Sequence, residues 1–243
     1  MNKKLLFAPL ITLLLAGCSI NVHNYYEYED SDKYTEYKEE ITTSEEASKL
    51  NIDWVSGNIS IQEGNALSIK EEIENNNKYY PLYYRMNEGL LDIKFCKSGI
   101  DLEDNFTKKL TITIPNTIKE VSVANVSGKI NLQSNNVDTL SIAAVSTNID
   151  VNLAKPKNIQ VASTSGNVKI EAKDVTVLEE IDVAAISANI DFYLDDLRGY
   201  NLDLSQTSGS IEKEFTDGTD TSLSRYNLKV AVISGNVSIH KKI

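Results

Sequence analysis

The chain has 243 residues, 24 basic against 35 acidic, giving a net charge of −11, with 41% hydrophobic residues and two cysteines. That acidic balance argues against nucleic acid and against anionic lipid head groups as partners. Cys18 and Cys96 alone cannot build a disulfide framework or a CxxC metal site.

Residues 1–18 read MNKKLLFAPLITLLLAGC. Lys3 and Lys4 precede an apolar run from Leu5 to Leu15, far short of the roughly 20 residues that span a bilayer core, so the segment is an export signal. Its end, Leu15-Ala16-Gly17-Cys18, resembles the lipobox of bacterial lipoproteins. That resemblance implies that Cys18 becomes the mature N-terminus, carries lipid and anchors the protein in a membrane. Each acyl CH₂ buried there contributes about 0.8 kcal/mol. Ser19 in the second mature position resembles outer-membrane sorting in diderm bacteria; with a single membrane the anchor would sit on its outer face. Without the two signal lysines, 22 basic residues remain against 35 acidic, a net charge of −13.

Residues 19–49 are rich in Glu, Asp and Tyr and contain no Gly or Pro. Such composition buries little apolar surface, and the segment is expected to be a flexible spacer reaching roughly 30 Å as a coil. The alternative is a sticky acidic-aromatic stretch built on Tyr25, Tyr26, Tyr28, Tyr34 and Tyr37.

Residues 50–243 carry a repeat. Ser56, Ser127, Ser146, Ser165, Ser187, Ser208 and Ser234 each follow Val, Ile or Thr, and the last six are 19, 19, 22, 21 and 26 residues apart. Six residues before each Ser stand Leu50, Val121, Leu140, Ile159, Ile181, Leu202 and Leu228. Three before, Ala is the rule, with Asp53 and Ser205 as exceptions; five after, an apolar residue is the rule, with Lys213 the break. The period is two on both sides of the Ser and changes phase across it, so two strands meet at a corner. Gly follows the Ser in five units and Asn comes next in five; since Thr147 and Ala188 replace Gly, Asn is the expected left-handed residue.

A period near 20 with strands flanking a corner predicts an all-β fold, a single-stranded β-helix or β-solenoid with rungs of about 19–26 residues. The stretch between Ser56 and Ser127 predicts about three irregular N-terminal rungs, or a cap with a hairpin around NNNKYYPLYYR, for some ten rungs in all. Lys241 and Lys242 are expected to blunt the last exposed edge.

From Leu50 onward the strand-Pro entry KLTITIP and the repeated VSGKI, TSGNV, ISANI and TSGSI motifs resemble a bacterial family of unknown function. Its members carry the label adhesin and include the head GIN domain proteins. The resemblance implies stacked β-strands on an exported protein, with no established activity.

No catalytic constellation is expected. A nucleophilic Ser needs a base in reach, and the two histidines, His23 and His240, cannot serve seven equivalent serines. VSGKI around Lys129 lacks the first Gly of a P-loop. No calcium repeat appears, no metal or cofactor is expected, and only a weak cation site around Asp195-Asp196 or Asp217-Gly218 was considered. The candidate binding surface is Tyr79, Tyr80, Tyr83, Tyr84 and Arg85, residue types favoured at recognition hot spots, with a capping hairpin as the plain reading. The sequence therefore predicts a lipid-anchored envelope protein of non-catalytic type, adhesin-like or scaffolding, binding a protein or an envelope polymer. The alternative is an accessory role in envelope-stress sensing.

Overall fold

The computed structural model describes residues 19–20, 25–38, 46–73, 80–104 and 106–242. The repeat builds a β-solenoid of parallel rungs, each bent once at its Ser. Strands Lys49–Glu63, Glu120–Ser134 and Thr139–Leu153 run unbroken through the corner, while later rungs divide there, as in Glu180–Ser187 and Ile190–Leu194. Inward residues alternate along both legs. In the Ser56 rung Leu50, Ile52, Trp54, Ile59 and Ile61 are all buried, which is why period two appears on both sides of the corner. No rung could bury this set alone; stacking completes the hydrogen bonding and the core together.

Corner serines lie in register along the stack: Ser56 against Ser127, Ser127 against Ser146, Ser146 against Ser165 and Ser165 against Ser187. Chain order then fails. Ser187 pairs with Ser234, and Ser208 lies beyond it. The last rung of the sequence is thus inserted between two earlier ones. Strands Tyr200–Ser208 and Ile211–Lys213 form the end of the stack.

At the other end, Leu90–Lys94 and Lys108–Ile114 make one split rung against Lys49–Glu63. Antiparallel strands cap it: Tyr83–Asn87 on Leu90–Lys94, and Ser68–Ile73 on Lys108–Ile114. Instead of the expected ten rungs there are eight among the described residues, because the insertion contributes one split rung and a cap. Seven steps of about 4.8 Å give a stack roughly 34 Å long.

Three further expectations are corrected. The left-handed corner residue is Gly, not Asn: Gly57, Gly128, Gly166, Gly209 and Gly235 have φ between 108° and 145°, and no Asn has positive φ among the described residues. A Cβ on Gly128 would lie 2.1 Å from the Gly57 carbonyl oxygen of the next rung, so the positive-φ positions exclude a side chain as well, while Thr147 and Ala188 carry one without positive φ. Residues 25–38 are not a free spacer. Tyr26, Tyr28, Tyr34 and Tyr37 are buried in the core, and Tyr25–Glu27 pairs with both Ser19–Ile20 and Ile100–Asp101. Four aromatic rings supply the apolar area that the composition seemed to lack. Finally, Lys241 and Lys242 lie at an interior rung, where they meet Asp196 at 2.7 Å and Glu171 at 2.8 Å. The true edge carries the exposed Lys213 instead, a charge of the kind that blunts an open edge, while Gln206 Nε2 ties the end rung inward to the Gly235 carbonyl at 2.6 Å.

Candidate binding surfaces

The outer side of the corner is one continuous face. Immediately before the serines stands a row of β-branched residues, in spatial order Val126, Val145, Thr164, Ile186 and Ile233. Val126, Val145 and Ile233 are 37–38% exposed and make up half of the six exposed large aliphatics among the described residues. Beside this row lie the outward alanines at 124, 143, 162, 184 and 231. On its other side come the serines and, past the glycines, an exposed amide row of Asn148, Asn167, Asn189 and Asn236.

The amide row is a ladder. Asn148 Oδ1 accepts the Asn167 N–H at 3.0 Å, and Asn189 Oδ1 accepts the Asn236 N–H at 3.1 Å. Asn236 Oδ1 accepts the Ser210 N–H at 3.0 Å. Serines bond each other across rungs: Ser127 Oγ donates to Ser56 Oγ at 3.1 Å, and Ser146 and Ser165 hydroxyls are 3.3 Å apart. These serines are structural neighbours of one another, with no base beside them.

The predicted tyrosine surface is mostly interior. Tyr79 lies outside the described residues; Tyr80 and Tyr84 are buried, and Tyr83 and Arg85 are half-buried. Tyr80 packs edge-on against Phe106 at 4.8 Å. Tyr83 donates to Glu36 at 3.4 Å, and burial pushes its phenol up. Tyr83–Asn87 does cap the stack, but in a hairpin with Leu90–Lys94 that turns at Glu88-Gly89, past the expected NNNKYYPLYYR stretch. Cys18 also lies outside the described residues.

Behind the tyrosines lies a buried ionic cluster that patterning did not reveal. Asp92 accepts from Tyr34 Oη at 2.5 Å and Asn51 Nδ2 at 2.8 Å, with Lys94 Nζ 3.2 Å away. Lys94 also pairs with Asp53, its register partner on the next rung. Burial pulls the Lys94 ammonium down, but the Asp53 carboxylate more than offsets this and its pKa is raised. Burial, then the hydrogen bond to Asp92, pushes the Tyr34 phenol up to about 12. Here is the reason Asp53 breaks the alanine rule. The signal was visible as an exception, though its partner was not.

Lys108 is fully buried. Its Nζ donates to Glu71 at 3.0 Å and the Tyr80 carbonyl at 2.8 Å, and sits 4.8 Å from the Trp54 ring centre. Burial lowers its pKa, against the pull of Glu71. Arg198 is a second pin, donating to the carbonyls of Val175, Thr176, Leu178 and Ser224 at 2.6–3.0 Å and so tying the connections between rungs.

A family model described as Toastrack DUF4097 matches residues 47–242. The chain belongs to the Toastrack DUF4097 family. A "putative cell adhesion protein" from Clostridium sporogenes has a similar crystal structure, with a TM-score of 0.53 at 13% identity over 86% of this chain and 98% of that one. A "putative adhesin" from Bacteroides fragilis matches with a TM-score of 0.42 at 17% identity over 85% and 96% of the two chains. No curated protein matches the chain significantly.

The polar groups of this Toastrack chain are largely committed to one another. His240, on the outer face of the second leg, meets Glu214 through Nδ1 at 3.0 Å and stacks on Tyr193 at 4.8 Å, remote in register from the serine column. The hydrogen bond from His240 holds the Glu214 carboxyl below its ordinary range. The acids of the candidate cation sites have partners: Asp196 has Lys241, Asp217 has Arg225, and Asp195 accepts the Leu197 N–H at 2.8 Å. Among the described residues no group of three His, Cys, Asp or Glu could hold a metal, and no helix is long and apolar enough to cross a membrane.

Proposed function

We propose that this protein is a lipid-anchored binding protein of the cell envelope, adhesin-like in role and without catalytic activity. The observation that carries the reading is the outer corner face. A rigid stack presents the same uncharged groups rung after rung, while His240 and many of the acids and lysines lie on other faces with structural partners. Rigid regular scaffolds suit extended contact surfaces. The names given to the Clostridium and Bacteroides proteins point the same way.

Anchoring rests on Leu15-Ala16-Gly17-Cys18. Ser19 and Ile20, directly after Cys18, already pair with Glu27 and Tyr26. The body then stands close to its membrane, in the outer membrane where there are two. The test pairs the full chain with its Cys18→Ala variant. The wild type is expected in the membrane fraction with an acylated N-terminus by intact mass, and to retain isolated envelope material in cosedimentation. Normal acylated anchoring of the variant would contradict the lipid assignment, and failure of the wild type to retain any envelope fraction would contradict the binding role.

A further inference from the structure

We infer that the outer corner face, from the Ala124–Ala231 row across to the Asn148–Asn236 row, is a docking site for an uncharged, extended polysaccharide lying along the stack axis. The inference rests on the binding role proposed above and names its ligand class.

Charge selects the ligand first. In a chain of net charge −11, the alanine, β-branched, serine and amide rows of the rungs from Ser127 to Ser234 contain one charged residue, Lys129. Anionic polymers are repelled by the acidic body, and the face offers a polycation no carboxylate. A neutral partner loses nothing by lying there. Chemistry selects it second. Sugar rings present C–H faces and hydroxyl edges together. The methyl groups of Val126, Val145 and Ile233 stand exposed for the former. The ladder uses the Asn oxygens and, among the described residues, leaves the amide N–H₂ groups of Asn148, Asn167 and Asn236 to solvent as donors for the latter.

Shape excludes the other occupants. The backbone groups under this face are bonded within the stack, so a peptide has no edge to extend and no groove to enter. A convex corner cannot enclose a small molecule as a pocket does. A strip some 10–17 Å wide and, over the five rungs from Ser127 to Ser234, about 20 Å long covers about 200–340 Å², below the roughly 800 Å² per partner of a stable protein interface, which argues against a second copy. A linear polymer needs no such area in one block, because its contacts repeat with each rung.

The test is cosedimentation of the full chain with amorphous cellulose and with chitin, alongside polygalacturonate as the anionic control, comparing the wild type with the double variant Val126→Asp/Val145→Asp. The charge-matched control, Asn131→Asp with Gln133→Asp, adds the same two charges at exposed positions on the outer face of the second leg. Both variants change outward side chains and should keep the wild-type circular dichroism. The expected result is saturable retention on at least one neutral polymer, none on the polyanion, and at least a tenfold weakening in the Val126→Asp/Val145→Asp variant only. Equal retention of that variant, stronger retention on polygalacturonate, or no retention on either neutral polymer would overturn the inference. In each of those cases retention of isolated envelope material by the same wild-type sample would leave the broader binding role standing.

Discussion

Ser187 and Ser234 lie side by side in register, and Ser208, which stands between them in the chain, lies on the far side of Ser234. The insertion determines what the surface looks like. With the Ser234 rung next to the Ser187 rung, Ile186 is followed by Ile233 and Ala184 by Ala231. In chain order they would be followed by Thr207 and Ser205, which would separate Ile186 from Ile233 and Ala184 from Ala231. The rung left at the end is the one whose sequence tolerates water: Leu202 and Leu204 are only half-buried and Ile211 is 45% exposed.

The corner glycine column sets a steric rule. Gly128→Ala forces a Cβ against the Gly57 carbonyl in a backbone region that alanine avoids, so it should lower stability by at least ~2 kcal/mol in urea unfolding. Ala188→Gly, at the corresponding position of a rung that does without positive φ, should cost less than ~1 kcal/mol. Equal costs would mean that the corner relaxes freely.

Lys108 and Glu71 should behave as a unit. Lys108→Met leaves the Glu71 carboxylate buried without its cation, and a loss of about 3–5 kcal/mol is expected. Adding Glu71→Gln should restore much of it, since the uncompensated charge is then gone. A Lys108→Met protein of wild-type stability would show that the buried contact contributes nothing net.

Much of this was legible in the letters. Period two, the corner serines and the alternation of inward aliphatics follow from strand geometry alone, and the register aligns the residues that the repeat aligns. Even the ends of the stack were signalled: Ser205 and Lys213 break the repeat in the terminal rung, and Asp53 breaks it where the cap begins. Position in the chain was a poor guide because a parallel rung accepts any copy of the repeat as neighbour, so local pattern cannot rank the order. Residues 25–38 were misread for a related reason. Tyrosines among acids look solvated until a second surface, here Phe95 and the Lys94–Asp92 cluster, exists to receive them. Composition alone does not place Tyr80 and Tyr84, because hot-spot composition and a buried aromatic cap are chemically the same.

Alkali should release the 25–38 segment. Burial and the hydrogen bond to Asp92 raise the Tyr34 phenol from 10.0 to about 12, so the folded state holds this proton more tightly than the unfolded chain does. Its contribution is therefore complete below about pH 10 and is lost as pH climbs through about 12. Lys94, also raised, loses its charge in the same direction. Burial also raises Tyr28 and Tyr226, so ultraviolet titration should show a late tyrosinate phase that is one tyrosine smaller in Tyr34→Phe, together with loss of near-ultraviolet dichroism. A single phase near pH 10 for every tyrosine would contradict the packed segment.

Whether the outer face is continuous depends on the rung order, and one covalent measurement decides it. In-register neighbours at exposed corner positions are close enough for a disulfide, which needs Cα atoms roughly 4.4–6.8 Å apart. The double variant Ser187→Cys/Ser234→Cys should close on mild oxidation, seen by intact mass and a peptide map, while Ser187→Cys/Ser208→Cys should stay open in the folded protein. Closure of the second pair and not the first would place the rungs in chain order and contradict the inserted rung, interrupting the outer face at Ser205 and Thr207.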